Sequence, residues 1–166
     1  MAMSTDRSPL LPWCSIPMGL LFAYSASIQL NDPDWYFWVP LYALASGVNL
    51  LQARSTARIL NRVALLDLRL GVVLLLKVVV EAHLYGLAGF WSLDMRERAV
   101  REKIGCGLVV ISMFLHIKAS RASKETRKGK KERAARFAES GMAILAAVSF
   151  GLSVYFYMFV RQHMKF

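Results

Sequence analysis

The feature that most constrains this chain is a series of apolar segments, most of them about long enough to cross a bilayer, separated by short charged or turn-forming breaks. Hydrophobic residues make up 56% of the 166 residues, and the mean hydropathy is +0.40. A soluble domain of this length cannot bury so many apolar segments in one core, whereas lipid solvates them directly. The sequence therefore predicts an integral membrane protein.

The spacing of these segments predicts the fold class. We expect an all-α, multi-pass membrane helical bundle with about five transmembrane helices, forming a single domain over residues 1–166. The predicted spans are approximately residues 13–30, 35–51, 70–90, 104–117 and 138–160. The fourth is shorter than the roughly 20 residues that a crossing needs. If it were re-entrant, the C-terminus would lie on the same side as the N-terminus.

Positive charge is concentrated between the fourth and fifth predicted spans. Residues 118–136 contain nine Lys/Arg and two Glu, in a chain whose net charge is +10. We expect a basic loop at 118–136 whose partners are membrane lipids with anionic headgroups. Nucleic acid is not an expected partner, because no aromatic residues are interleaved there for base stacking.

The distribution of Lys and Arg predicts an orientation. With five spans, the N-terminus, residues 52–62 and residues 118–136 share one face, which carries 13 Lys/Arg. The opposite face carries six. The positive-inside rule therefore predicts a cytoplasmic N-terminus.

The break between the first two predicted spans is a cluster of turn-forming residues, Gln29, Asn31, Asp32, Pro33 and Asp34. Pro33 disfavours helix at Asp32, and Asp34 is a good N-cap for the second span. The oxygens of this turn have two interpretations: they satisfy backbone groups at the helix ends, or they bind a cation or a lipid headgroup.

These residues also carry a family resemblance. The stretch from Leu21 to Leu51 resembles the opening hairpin of the transmembrane protein 220 family, in which Gln-x-Asn-Asp-Pro-Asp joins an apolar helix to a helix containing Trp. The corresponding residues here are Gln29, Asn31, Asp32, Pro33, Asp34 and Trp38. A second similarity lies at the start of a later span, where Arg101-Glu102-Lys103-Ile104-Gly105 is similar to Arg-Glu-x-x-Gly. The resemblance implies a small multi-pass membrane protein and no particular activity. The long basic loop and the charges in the third span depart from the family pattern.

The third span contains the charged residues Lys77 and Glu81, with His83 close by. Lys77 and Glu81 are four residues apart and share a helix face. A charge within a span is costly, and it marks either an internal salt bridge or a functional path for ions or substrates. His83 points elsewhere and is expected to be a packed histidine. An ion pair between the Asp residues of the turn and Arg101 is a further expectation, because the predicted topology places them on one face.

The chain contains no HExxH, CxxC, Gly-rich phosphate loop or nucleophile turn, so we expect no enzyme, metal site or cofactor. His83 and His116 could hold a haem only at matching depth, and the predicted spans place them at different depths. The leading hypothesis is a structural or interaction subunit, a homo- or hetero-oligomer packed through small-residue faces such as Gly19, Ala23 and Ser27. The alternative is a small transporter or channel-like protein using Lys77 and Glu81. A membrane enzyme acting on lipid would rest on the acidic turn and Arg101 alone.

Overall fold

A computed structural model of the chain describes residues 10–52, 58–85 and 98–160. The helices are α1 (Leu10–Gln29), α2 (Trp35–Gln52), α3 (Arg58–Tyr85), α4 (Arg98–Lys124) and α5 (Lys128–Tyr155), the last continuing into a π-helical turn at Phe156–Val160. Within the described residues there is no β-strand. The predicted all-α helical bundle is therefore confirmed.

The five helices are packed as a closed ring. Each helix that the structure describes contacts the next one along the chain, and α5 returns to contact α1. A further contact joins α2 to α4 across the ring. Because successive helices run in opposite directions, α2 and α4 are parallel. One end of the bundle therefore contains the turn between α1 and α2, the end of α3 and the start of α4, and the other end contains the start of α3 and the end of α4.

The structure differs from the sequence prediction over residues 118–136. Most of this segment, expected to be a basic loop, is helical, because α4 extends to Lys124 and α5 begins at Lys128. Alanine, lysine, arginine and glutamate are favourable in helices, so the helices continue past their apolar portions. For the same reason α4 has 27 residues, far more than the apolar segment 104–117 suggested, and its length of about 40 Å exceeds the thickness of the hydrocarbon core.

Three of the described helical segments are long and apolar enough to cross a membrane: Leu10–Gln29, Val100–Lys124 and Lys128–Met158. The helix α3 is long enough, but its 28 residues include six charged ones. The helix α2 carries no charge, but aromatic and amide residues at its ends lower its hydropathy.

The core lies along α2 and a regular stripe on α3. Trp38, Leu41, Ala45 and Val48 of α2 are almost completely buried, which agrees with the contacts of this helix to α1, α3 and α4. On α3 the buried stripe recurs at alternating spacings of four and three, which is the pattern of a helix packed lengthwise on a neighbour. Its members are Leu60, Ala64, Asp67, Gly71, Leu74 and Val78. At Gly71 the missing side chain lets α4 approach, since a Cβ there would lie 3.1 Å from Val110.

Candidate functional site

The sequence motifs meet at one end of the bundle, which we call the motif end. It consists of the turn at residues 30–34, the C-terminal part of α3 with Lys77 and Glu81, and the start of α4 with Arg101 and Glu102. The Lys77 ammonium lies 5.6 Å from the centre of the Phe37 ring at the start of α2. The carboxylates of Asp34 and Glu102 are within electrostatic range of the same ammonium. The structure therefore brings together charged residues that are distant in the sequence.

The turn between α1 and α2 is held by backbone hydrogen bonds. The Asp32 amide donates to the Gln29 carbonyl at 3.1 Å, and the Trp35 amide donates to the Asp32 carbonyl at 3.2 Å. Oδ2 of Asp34 accepts a 3.0 Å hydrogen bond from Nε1 of the buried Trp38. This geometry supports the structural interpretation of the turn, because the Asp34 carboxylate anchors a core residue one helical turn along.

The other residues of the turn differ in their surroundings. Asn31 and Pro33 are exposed, and Asp32 is half-buried. Oε1 of Gln29 is buried and accepts no hydrogen bond from the residues that the structure describes. The ion pair expected between this turn and Arg101 stays a prediction.

The predicted pairing of Lys77 with Glu81 is seen directly. Nζ of Lys77 lies 2.8 Å from Oε1 of Glu81 and donates a 3.0 Å hydrogen bond to its Oε2. The exposed fractions of the two side chains are 34% and 45%. The pair therefore lies on the flank of the bundle rather than in its core, with the Phe37 ring beside the ammonium.

The start of α4 fits closely against α2. Gly105 lies directly against the Tyr42 hydroxyl, and a Cβ at this position would overlap it. Glu102 is buried one turn earlier and acts electrostatically on Tyr42 and Cys106. The Arg-Glu-x-x-Gly similarity thus has a packing role here, because the glycine permits the close approach.

A second polar group lies inside the bundle, in the half away from the motif end. Nδ2 of Asn49 on α2 donates to the Ala45 carbonyl at 2.8 Å and to Oγ of Ser112 at 3.1 Å. Oδ1 of Asn49 lies 2.9 Å from Nε2 of His116. Asn49, Ser112 and His116 all have an exposed fraction of 0%. This network ties α2 to α4 through side chains that have no access to water.

Asp67 lies at the same depth as this network. Nδ2 of Asn61 donates to Oγ of Ser120, and Gly71 faces Val110. Counting along the two antiparallel helices from these contacts places Asp67 opposite Phe114, level with the residues that bond to Asn49. Asp67 is completely buried, and neither carboxylate oxygen forms a hydrogen bond with the described residues.

The sequence prediction missed this interior group. It placed Asp67 outside the embedded part of the third span, and it weighed His116 only as a partner of His83. His83, which was expected to be a packed histidine, is instead exposed near the motif end, whereas His116 is buried towards the other end. Two signals were present in the sequence: Asp67 is in register with the α3 stripe, and Ser112 and His116 are four residues apart.

Among residues 10–52, 58–85 and 98–160, no group of three His, Cys, Asp or Glu side chains is arranged to hold a metal ion. We call Asn49, Ser112, His116 and Asp67 the interior group, because all four side chains are buried inside the bundle. The charged side chains of the motif end, by contrast, include an ion pair at the surface of the bundle.

Comparison with known families identifies a match. A family model described as transmembrane family 220, helix, matches residues 21–118. The match spans more than half of the 166 residues and includes the turn, α2, α3 and most of α4. No curated protein and no solved structure matches the chain.

Proposed function

The chain belongs to transmembrane family 220, and from this premise we propose that this small membrane protein is a non-enzymatic subunit with a structural or interaction role. We infer five membrane crossings. Three helical segments have the length and hydropathy of a span, and α2 and α3 are packed between them in the same ring.

The observation that carries the proposal is the closed ion pair at the motif end. Lys77 and Glu81 satisfy one another at 2.8 Å, and the Phe37 ring stands beside the ammonium. A transport path would need these charges to face a passage between helices. Their position on the flank, paired within one helix, supports a structural role.

The outer surface of α5 is our candidate contact face. Ala147 and Gly151 lie on one side of α5 and are exposed, and a Cβ at Gly151 would have nothing within 4 Å. Such small residues allow a second helix to approach closely. On α1, by contrast, Gly19 of the predicted small-residue stripe is buried against Leu50, and its carbonyl accepts a 2.8 Å hydrogen bond from Ser46.

The test is the size of the full-length protein extracted into native nanodiscs, measured by native mass spectrometry. We expect the wild-type chain in an assembly with copies of itself or another membrane protein. Ala147→Trp with Gly151→Trp should release it as a single chain, because two large rings prevent close helix approach. Leu76→Trp on the exposed side of α3 is the matched control and should leave the assembly intact. A wild-type protein that is always a lone chain would contradict the proposal.

The interior group favours a second candidate, a small transporter or channel-like protein that moves protons or cations past Asp67. A fully buried carboxylate without a hydrogen-bond partner among the described residues is costly to retain for packing alone. This candidate uses Asp67 in place of the Lys77–Glu81 pair.

Ion flux in proteoliposomes separates the two candidates. A transporter should carry protons or cations down an imposed gradient, and Asp67→Asn should abolish the flux because the amide cannot titrate. Glu81→Gln, outside the interior group, should leave the flux largely unchanged. Vesicles that stay tight with wild-type protein would reject the second candidate.

A further inference from the structure

The end of the bundle opposite the motif end contains a cleft between α3 and α4, which we call the basic cleft. Its volume is about 240 Å³, space for several water molecules and therefore for a phosphate group. Three exposed cations line it: Arg62 from the start of α3, and Arg121 and Lys124 from the end of α4. Among the described residues, none that lines the cleft is acidic.

The cleft has a built floor. Nδ2 of Asn61 donates a 2.6 Å hydrogen bond to Oγ of the buried Ser120, which joins α3 to α4. Arg62 and Arg121 directly follow these two residues in the chain. The hydrogen bond therefore fixes the distance between α3 and α4 at the positions of Arg62 and Arg121.

Within the part of the chain that the structure describes, none of these three cations forms an ion pair. Glu125, just beyond Lys124, lies 3.8 Å from Lys130 of α5 and is engaged there. Asp67 is buried in the α3 stripe rather than lining the cleft. Like charges held together repel one another, so an anion bound among Arg62, Arg121 and Lys124 is electrostatically favoured.

The cleft also has an apolar wall on its inner side. Leu65, one turn further into α3 than Arg62, and Ile117, one turn further into α4 than Arg121, both line it. The cleft thus passes from cations at the end of the bundle to apolar side chains one helical turn further in. A phospholipid has this same order of groups.

We propose that the basic cleft binds a single anionic phospholipid, with its phosphate held by Arg62, Arg121 and Lys124 and its first acyl carbons against Leu65 and Ile117. This inference is independent of the proposed interaction role. It assigns one specific lipid site, in contrast to the diffuse attraction expected of any basic surface segment.

The experiment uses full-length protein in neutral detergent at about 0.15 M salt, where diffuse attraction is screened beyond about 8 Å. The probes are phosphatidylglycerol, phosphatidylcholine and inorganic phosphate. Native mass spectrometry counts retained lipid, and the Tm reports stabilisation. We expect one phosphatidylglycerol per chain and a raised Tm, with little effect of the other probes.

The cleft variant is Arg62→Gln with Arg121→Gln, which should weaken phosphatidylglycerol binding at least about tenfold, since each basic side chain near an anionic lipid contributes substantially. The matched control, Lys128→Gln with Arg133→Gln, removes the same charge from exposed positions on α5 and should change binding less than about twofold. Equal losses in both variants would overturn the site in favour of diffuse attraction.

A third variant tests the apolar wall without changing charge. Leu65→Trp fills the inner part of the cleft from an exposed position on α3 and should also weaken phosphatidylglycerol retention about tenfold or more. Unchanged retention would overturn the seating of the acyl chain. Stabilisation by inorganic phosphate that equals the effect of phosphatidylglycerol would overturn the assignment to lipid, because the soluble anion would then account for the cleft.

Discussion

The two ends of the bundle handle charge in opposite ways. At the motif end, Lys77 pairs with Glu81 within one helix, and the Asp34 carboxylate accepts a hydrogen bond from the Trp38 indole. In the basic cleft at the other end, cations from α3 and α4 converge, and the described residues that line the cleft include no acid. At the motif end, these charged side chains have partners within the protein. In the basic cleft, we propose that the partner is an anionic phospholipid.

This difference follows from where each end finds its counter-charge. The motif-end pair is carried in a mainly apolar helix, and an isolated charge in lipid costs roughly 2.5–3.5 kcal/mol on insertion scales, so it needs a partner within the chain. The cations of the basic cleft lie where helices emerge from their apolar portions, and headgroups or water can solvate them. In our proposal, the charged pair at the motif end therefore stabilises the fold, and the cations of the basic cleft bind an anionic ligand.

The family match covers the two regions to different extents. Residues 21–118 include every residue that we assign to the motif end. They also include Arg62 and the lining residues Asn61, Leu65 and Ile117 of the basic cleft, but Arg121, Lys124 and the whole of α5 lie beyond the match. The anchored turn and the ion pair thus lie within the segment that defines the family, while the basic cleft is completed outside it.

The largest expected effect concerns the side of the membrane that each end occupies. In a chain with Cys14→Ser and Cys106→Ala, we introduce Ser123→Cys near the basic cleft or Asn31→Cys at the motif end; both positions are exposed. Because three helices separate these positions, a membrane-impermeant maleimide should reach them from opposite sides. Ser123→Cys should react once digitonin admits the reagent to the cytosol, and Asn31→Cys should not react from that side. If both cysteines were labelled from one side, the two ends of the bundle would not lie on opposite sides of the membrane, which would contradict the predicted topology.

The next effect is on stability and separates the two kinds of charge. Lys77→Leu or Glu81→Leu alone should lower the free energy of unfolding in detergent by about 1–3 kcal/mol, less than for a fully buried pair, because both side chains are partly exposed. The double replacement should restore or improve stability. Arg121→Leu in the basic cleft is the control and should change stability by less than about 0.5 kcal/mol. Silent single variants would show that the motif-end charges are solvated like those of the basic cleft.

The smallest effect tests the anchor of the turn. Asp34→Ala should cost about 1–2 kcal/mol, because it removes an N-cap residue and the acceptor for the Trp38 indole. Asp34→Asn, which keeps an acceptor of the same length, should restore most of the loss, and Asp34→Ser only part of it, since a serine caps the helix but is too short to reach the indole. Thermal unfolding of these variants, alone and combined with Trp38→Phe, measures the coupling. Additive effects of Asp34→Ala and Trp38→Phe would contradict the anchor, and an Asn variant that folds but fails to assemble would assign a role to the charge.

The all-α class, the turn at Asn31–Asp34 and the pairing of Lys77 with Glu81 followed from local patterns, and the structure agrees with them. Each depends on residues within about four positions of one another, where helical geometry dictates the contact. The helical continuation of α4 and α5 through residues 118–136 was missed, because charge was taken to interrupt a helix when it marks only the end of the apolar part.

By itself the sequence determined that this chain belongs in a membrane, where its helices break and which charges can neutralise one another along a helix, since hydropathy, proline and four-residue spacing act locally. The tertiary structure decided which side chains of different helices lie next to one another. It placed Asn49 against Ser112 and His116, 63 and 67 positions away, and it placed Arg62 beside Arg121 in one cleft. Those contacts depend on the register between helices, which is set by the close approaches at Gly71 and Gly105 and by packing summed over whole helix faces, and no short stretch of residues encodes that sum.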